Sequence, residues 1–336
     1  MELVGRCCWA LLWVIFFQTF SMQAVADSLN PSLQGPAFSE PKESKWLVSP
    51  GWQEKSITYP SHLGSPDLFV SLDQHFYPAA KILIEAYGKK HGLSIVVVEG
   101  TCGTSTGLIA SKGADIAGFC CPPALSDRLP GLVFHTVGII PNVLIAHPTN
   151  PVDNLSLQEA QHLFSGEIPY WNGLADPKAQ SVKGPVKPIT RMHCKIRPGH
   201  WRLLIDNEDL HSPMIHNVSS IPDMMDTVAA DPKAVGFLAR WLLTPKQLER
   251  LKILTLDNLH PDQSGVVVDG RYPLYNVVNI TTWSGASQKE EAQKLVRYLL
   301  SHQESYDPAM FIIPADHLRK AGWRFVGDEL IGEPDS

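Results

Sequence analysis

A loop with several reactive side chains lies between Thr190 and His200. These side chains are Arg191, His193, Cys194, Lys195, Arg197 and His200. An arginine presents a planar fork of donors that suits an oxyanion, whereas histidine and cysteine together suit a thiophilic metal. An exposed charged loop without a ligand is the alternative. The paired Cys-x-x-Cys spacing of structural zinc sites is absent from the sequence, so we expect no such site.

A second candidate segment, Thr101–Gly107, is rich in glycine and hydroxyl side chains. It separates a predicted strand from a predicted helix, and a helix N-terminus carries unpaired N–H groups and a partial positive charge. The candidate anion donors are Cys102, Gly103, Thr104 and Ser105. No lysine follows the second glycine, so the segment is not a nucleotide P-loop. Simple capping of the helix is the alternative.

Four cysteines remain beyond residue 26: Cys102, Cys120, Cys121 and Cys194. Cys120 and Cys121 end the next predicted strand, and the carboxyl ends of neighbouring parallel strands share one edge. We therefore expect Cys102 to lie beside Cys120 and Cys121. A structural disulfide between Cys102 and one of that pair is an alternative to a role in ligand binding.

The candidate segments alternate with predicted strands and helices. Strands are predicted over 67–71, 94–98, 116–119, 186–190 and 235–238, and helices over 78–91, 156–164, 200–207, 222–230 and 290–301. This alternation indicates an α/β fold with parallel strands and right-handed crossovers. The long apolar segment 133–147, broken at Gly138 and Pro141, is predicted to leave one lobe and enter another. The segment 270–282 is predicted to return.

Composition excludes one class of partner. The chain has 336 residues, enough for two lobes, and a formal charge of −6. A nucleic-acid surface needs clustered cations, so no nucleic acid is expected. No catalytic motif is apparent: a cysteine activated by His193 or His200 would lack an orienting carboxylate. We therefore predict no enzyme and no cofactor.

The N-terminus has the features of an export signal. Arg6 precedes the apolar stretch Trp9–Phe17, and Ala24–Ala26 has the small-x-small pattern of a signal-peptidase site. The apolar stretch is shorter than the about 20 residues that span a bilayer. The sequence predicts a signal peptide over 1–26, cleaved after Ala26, and a periplasmic protein.

Several segments, taken in order, resemble the phosphate-type substrate-binding proteins of ABC transporters, within the type II periplasmic-binding-protein superfamily. They are Phe76–Pro78, Glu99–Gly107, Gly113–Ala117, His147–Pro151, Leu163–Ile168 with Trp171, Val228–Phe237 and Arg271–Leu274. The resemblance implies two α/β lobes with mixed sheets flanked by helices, joined by two hinge crossings. The expected organisation is an N-terminal arm over 27–65, lobe 1 over 66–140, lobe 2 over 141–265, a return to lobe 1 over 266–316, and a C-terminal tail over 317–336.

The resemblance also implies roles for individual residues. Gln74 and His75 match the loop after the first strand, Thr104 and Ser105 match the donors at a helix terminus, and Arg191 matches the arginine that pairs with the anion. The chain departs from the family pattern at Cys121, where members place a polar or acidic residue. It departs again at His193–His200, where members continue with a Gly/Ser/Thr donor loop.

The resulting hypothesis is an exported, monomeric binding protein that captures a small oxyanion, phosphate or a relative, for uptake or sensing. The resemblance implies the membrane component of an ABC transporter as a partner. The expected ligand-binding residues are Gln74, His75, Cys102, Gly103, Thr104, Ser105, Cys121, Arg191, His193, Cys194 and His200. The alternative is a soft metal or metalloid held by Cys102, Cys121, His193 and Cys194 in the same cleft.

Overall fold

The computed structural model describes residues 33, 38–41, 48–49, 51–191, 204–206 and 208–335. The predicted signal peptide, part of the predicted N-terminal arm, and His193, Cys194 and His200 lie outside these ranges. In the described part of the chain, no helix is long and apolar enough to cross a bilayer.

The strands are short except for two. Their bounds are β1 Leu68–Asp73, β2 Ile95–Gly100, β3 Ile116–Phe119, β4 Leu132–Ala146, β5 Asn154–Leu155, β6 Lys187–Thr190, β7 His216–Asn217, β8 Ala234–Ala239, β9 Lys252–Leu256, β10 Tyr275–Trp283, β11 Ile313–Pro314, β12 Arg324–Val326 and β13 Glu329–Gly332. The long strands β4 and β10 lie side by side and are buried over most of their length.

Helices connect most of the strands. Their bounds are α1 Tyr77–His91, α2 Cys102–Ala110, α3 Leu157–Ser165, α4 Ile221–Ala230, α5 Pro245–Leu248, α6 Glu290–Ser301 and α7 Ala315–Lys320. Helix α1 begins with Pro78 in its first turn and ends at Gly92, whose φ of 67° is the left-handed conformation that glycine adopts without strain. The helix predicted over 78–91 is therefore confirmed.

The sheet is mixed, and the long strand β4 holds it together. The strand order is β2-β1-β3-β10-β4-β8-β6-β7. Strands β1, β2 and β3 are parallel, and β10 is antiparallel to both β3 and β4. β4 pairs with β10 up to Pro141 and with β8 from Asn142 onward. We call the part with β2, β1, β3 and β10 the first half of the sheet and the part with β8, β6 and β7 the second half. Strand β4 belongs to both halves.

The predicted break in this segment is wrong, because β4 runs without interruption through Gly138 and Pro141. At Gly138 a Cβ atom would lie only 2.1 Å from the carbonyl oxygen of Ile313, so glycine permits β11 to pair closely with β4. Glycine here marks a close backbone approach and not the end of a strand.

The helix predicted over 200–207 is also wrong in its described part. Residues 204–206 form a bend, and Leu204 has a φ of 143°. Leu204 is fully buried, and its carbonyl oxygen accepts a hydrogen bond from the buried side chain of Gln161. Tertiary packing therefore overrides the local helical pattern.

Two apolar clusters cover the two halves of the sheet. Helices α1 and α6 pack on the first half through residues that include Ile84 and Leu295. Helix α4 packs on the second half through Met224 and Val228, which contact a cluster that includes Val143 of β4. The helices thereby fix the loops at the ends of the strands.

The predicted arm and tail pack against the first half of the sheet. Lys112 is 1% exposed, and its ammonium group donates to the carbonyl oxygens of Gln53 and Lys55 and to the hydroxyl of Ser287. Arg128 forms a buried ion pair with Glu329 of β13 at 2.6 Å. The predicted tail thus contains ordered elements, including α7, β12 and β13.

Candidate functional site

A small cavity opens between the two halves of the sheet. Its volume is about 240 Å³, below the range of about 300–1,000 Å³ that is typical of sites for drug-sized ligands. The cavity is lined by Gln74, His75, Pro78, Glu99, Arg191, Ser219, Ser220, Ile221, Pro222, Trp241 and Leu242. These residues come from the ends of β1, β2, β6 and β8 and from the first turns of α1 and α4.

The corner between β1 and α1 supplies Gln74 and His75. The N–H of Gln74 donates to the carbonyl of Gly100 at 3.1 Å, and the N–H of His75 donates to Asp73 Oδ1 at 2.9 Å. Asp73 is 2% exposed, so this bond fixes the corner from below. Helix α1 starts two residues after His75, which places a partial positive charge beside the cavity.

Arg191 enters the cavity from the other half of the sheet, directly after β6. Its Nη1 donates to Gln74 Oε1 at 3.3 Å. Gln74 and Arg191 lie 117 positions apart along the chain. The bond therefore brings a guanidinium and an amide from opposite sides of the cavity within reach of one small ligand.

The indole of Trp241 orients the imidazole of His75. Trp241 Nε1 donates to His75 Nδ1 at 3.3 Å, and the two rings meet edge to face with centroids 6.3 Å apart. Because Nδ1 accepts this bond, the proton of a neutral imidazole sits on Nε2. The contact selects one tautomer of His75 at the cavity wall.

The N-terminus of α4 forms another wall. Ser220 caps the helix by accepting the N–H of Asp223 at 3.2 Å, and Ser219 donates to the Asp223 carboxylate at 2.6 Å. The bond from Ser219 is the main reason that the pKa of Asp223 is lowered. Arg191 and two helix N-termini therefore favour an anion. Glu99, an acidic residue in the described lining, opposes this effect.

The structure places the predicted ligand-binding residues in three groups. Gln74, His75 and Arg191 line the cavity. The residues that lie near the sheet edge but outside the lining are Cys102, Gly103, Thr104, Ser105 and Cys121. The remaining predictions, His193, Cys194 and His200, fall outside the described residues.

The segment after β2 caps the helix that follows it, α2. Thr101 caps α2, and its Oγ1 accepts the N–H of Thr104 at 3.2 Å. Ser105 is fully buried, and its hydroxyl has no hydrogen-bond partner among the described residues. In this geometry the N–H of Thr104 serves the helix cap.

Three cysteines meet beneath the cavity corner, as the sequence predicts. We call Cys102, Cys120 and Cys121 the thiol cluster; all three are at most 3% exposed. The Sγ atoms of Cys102 and Cys120 lie 3.1 Å apart, and those of Cys120 and Cys121 lie 3.9 Å apart. The thiol of Cys102 also donates to Asp73 Oδ2 at 3.6 Å. Hydrogen bonding to Cys102, together with burial, raises the pKa of Cys120 well above its usual range.

Sequence reasoning missed several residues of the cavity lining. Ser219 and Ser220 precede a proline and an aspartate, a pattern typical of a helix N-terminus that could have marked this wall. Trp241 has no comparable local signal, because it follows β8 in a short 3-10 turn and reaches His75 only through the tertiary fold.

One curated relative is the phosphate-binding protein PstS of Bacillus subtilis (strain 168). It is 24% identical to this chain over 299 residues, which cover 88% of each protein.

Two solved structures share the fold. An ABC-type phosphate transport receptor from Vibrio cholerae has a TM-score of 0.61 at 19% identity, covering 74% of this chain and 99% of the receptor. A putative phosphate ABC transporter substrate-binding protein from Clostridium perfringens, solved with bound phosphate, has a TM-score of 0.61 at 13% identity, covering 74% and 98%. The predicted fold class, a two-lobed α/β periplasmic-binding-protein fold, is confirmed.

A family model described as a PBP superfamily domain matches residues 58–303. The matched range contains the strands β1 to β10 and the whole cavity lining. Together with the shared fold, this match shows that the chain belongs to the PBP superfamily.

Proposed function

We propose that this protein is a solute-binding protein that captures phosphate, or a closely related oxyanion, in the cavity between Arg191 and the corner of Gln74 and His75. The observation that carries the proposal is the approach of Arg191 to Gln74 from opposite sides of the cavity. A guanidinium offers paired donors to an oxyanion, and the first turns of α1 and α4 add favourable electrostatic potential. No reaction is needed for this role, and we assign the protein no enzymatic activity.

The names of the relatives support the choice of ligand. The curated relative is named as a phosphate-binding protein, and the Clostridium perfringens structure is titled as containing bound phosphate. The cavity volume of about 240 Å³ suits a small solute. Arsenate and sulfate share the tetrahedral shape of phosphate and are the natural competitors in a binding test.

We also propose the cellular setting. The chain is exported to the periplasm, loses residues 1–26, and acts as a monomer that delivers its ligand to the membrane component of an ABC transporter. Residues 66–140 and 266–316 form one lobe and residues 141–265 the other, with β4 as a hinge crossing. The change of partners in β4 between Pro141 and Asn142 supports this division. At least one disulfide is proposed among the remaining cysteines.

The alternative, a soft metal in the same cleft, is not favoured. The thiol cluster lies outside the lining of the cavity, whereas Arg191, a cationic side chain among the described lining residues, suits an anion. The fold shared with a phosphate transport receptor points in the same direction.

The test is calorimetric titration of the purified protein with phosphate, arsenate and sulfate. We expect one phosphate or arsenate to bind per chain, with sulfate binding more weakly. Sodium chloride at matched ionic strength is the control for non-specific electrostatics. If none of the three oxyanions binds, the proposal is wrong.

A further inference from the structure

The thiol cluster has a specific position relative to the cavity. Strand β1 lies between β2 and β3 in the sheet. Cys102 follows β2, and Cys120 follows β3 directly. A connection between these two residues therefore passes beneath the carboxyl end of β1, where Asp73 holds the N–H of His75.

We propose that Cys102 and Cys120 are joined by a disulfide in the exported protein, and that Cys121 stays outside this bond. The Sγ atoms of Cys102 and Cys120 lie 3.1 Å apart. Non-bonded carbon atoms pack at about 3.5–4.0 Å, and sulfur is larger than carbon. The two sulfurs thus lie closer together than non-bonded atoms normally pack. Moving them about 1 Å nearer would reach the bonded S–S distance of about 2.05 Å.

The geometry favours Cys120 over Cys121 as the partner of Cys102. The backbone N–H of Cys120 points at the Cys102 sulfur, with a distance of 3.3 Å. Cys121 approaches the pair from the side of Cys120, at 3.9 Å between their sulfurs. Its backbone carbonyl is held separately by Asn279 at 3.1 Å.

The surroundings of the cluster favour a bond over a metal ion. The three sulfurs lie close enough to one another to serve as metal ligands. However, they lie in an apolar cluster with Ile109, Phe119 and Trp283. A divalent ion with three thiolates would add one uncompensated negative charge beside the buried carboxylate of Asp73, and burying unpaired charge is costly. A disulfide is neutral and adds no such charge.

The oxidation balances without a cofactor. Each thiol loses a proton, and the two electrons reduce the disulfide of a thiol oxidant, such as oxidised glutathione or a disulfide-donating protein, to two thiols. Thiolate is the reactive form, and the pKa of Cys120 is raised in the folded protein. Burial therefore slows the reaction of Cys120 in the folded protein. Asp73 loses the donor at Oδ2 but keeps the N–H of His75 at Oδ1.

Peptide mapping tests the bond. The full chain is expressed with export, denatured without reductant, alkylated and digested with trypsin. Cleavage after Lys90, Lys112 and Arg128 places Cys102 in residues 91–112 and both Cys120 and Cys121 in residues 113–128. We expect these two peptides to be linked. Fragmentation between positions 120 and 121 should locate the link at Cys120.

Two variants serve as matched controls. Cys120→Ser should abolish the linked peptide, whereas Cys194→Ser should leave it intact. A reductant should lower the melting temperature of the wild type and leave that of Cys120→Ser unchanged. Full alkylation of both Cys102 and Cys120, a link located at Cys121, or a metal ion retained with the three thiols would each overturn the proposal.

Discussion

The cavity and the thiol cluster lie at the same edge of the sheet but have different surroundings. The cavity is lined mostly by polar or half-buried side chains, with Arg191 and Gln74 facing one another across it. The thiol cluster, a short distance along the same edge, is almost fully buried among aromatic and aliphatic side chains. Asp73 connects the two regions, because one carboxylate oxygen accepts from His75 and the other from Cys102.

The comparison shows that position after a strand does not by itself assign a residue to a ligand. Gln74 and Cys120 both follow strands of one parallel set, yet one faces the cavity and the other faces the core. Polar groups at the cavity wall can bind either water or a ligand, whereas close apolar packing around the thiol cluster keeps that region rigid. We therefore expect substitutions in the two regions to act on different quantities, binding in one and stability in the other.

The largest expected effect is a loss of stability when a cavity is created beside the thiol cluster. Phe119 is 1% exposed and packs against Phe134 with ring centroids 5.6 Å apart. Phe119→Ala should lower the free energy of unfolding by about 3–5 kcal/mol, the usual cost of truncating a buried phenylalanine. Urea denaturation measures this change.

Phosphate affinity of the folded Phe119→Ala protein should stay close to that of the wild type. Ile82→Ala is the control, because Ile82 is 72% exposed and its truncation should change stability by at most about 0.5 kcal/mol. If Phe119→Ala lost phosphate binding but kept the stability of the wild type, the cavity and the thiol cluster would not have separate roles.

A substitution at the cavity should give the opposite pattern. Arg191→Ala should weaken phosphate binding by about 1.5–3 kcal/mol, the usual contribution of a hydrogen bond to a charged group, with little change in stability. Calorimetry measures the affinity. Arg250→Ala is the matched control, because Arg250 pairs with Asp226 on the surface away from the cavity lining. Unchanged affinity in Arg191→Ala would exclude Arg191 from the site.

A smaller effect is expected from the residue that orients His75. Trp241→Phe keeps an aromatic ring but removes the N–H that donates to His75 Nδ1. Phosphate affinity should fall by about 0.5–1.5 kcal/mol, the net value of one neutral hydrogen bond.

Trp323→Phe provides the control for this substitution. It also loses one indole hydrogen bond, to the carbonyl of Val268, but lies outside the cavity lining. Equal losses of affinity in the two variants would mean that Trp241 acts through general stability and not through His75.

The sequence predicts the fold better than the site. The sequence predicts a helix over 78–91, and the structure has α1 at Tyr77–His91. The break predicted at Gly138 is wrong, because the glycine allows the backbone of Ile313 to pack closely against β4. This contact joins residues that are distant in sequence. Local patterns carry no information about such an approach.

Some of the predicted site residues line the cavity, and others lie in the core. The family resemblance and the positions after strands predict Gln74, His75 and Arg191 as site residues, and all three line the cavity. Cys102 and Cys121 follow strands in the same way, but their side chains are buried. The direction of a side chain at a strand end depends on tertiary packing, which the pattern of residue types does not encode.

The most direct test of the proposed function is a crystal structure of the protein with phosphate. We predict an anion within hydrogen-bond distance of Arg191, at the corner formed by Gln74 and His75, with the thiol cluster remaining buried beneath it. Phosphate bound instead at the separate surface cavity lined by Lys183 and Lys233, with the central cavity empty, would contradict the proposal.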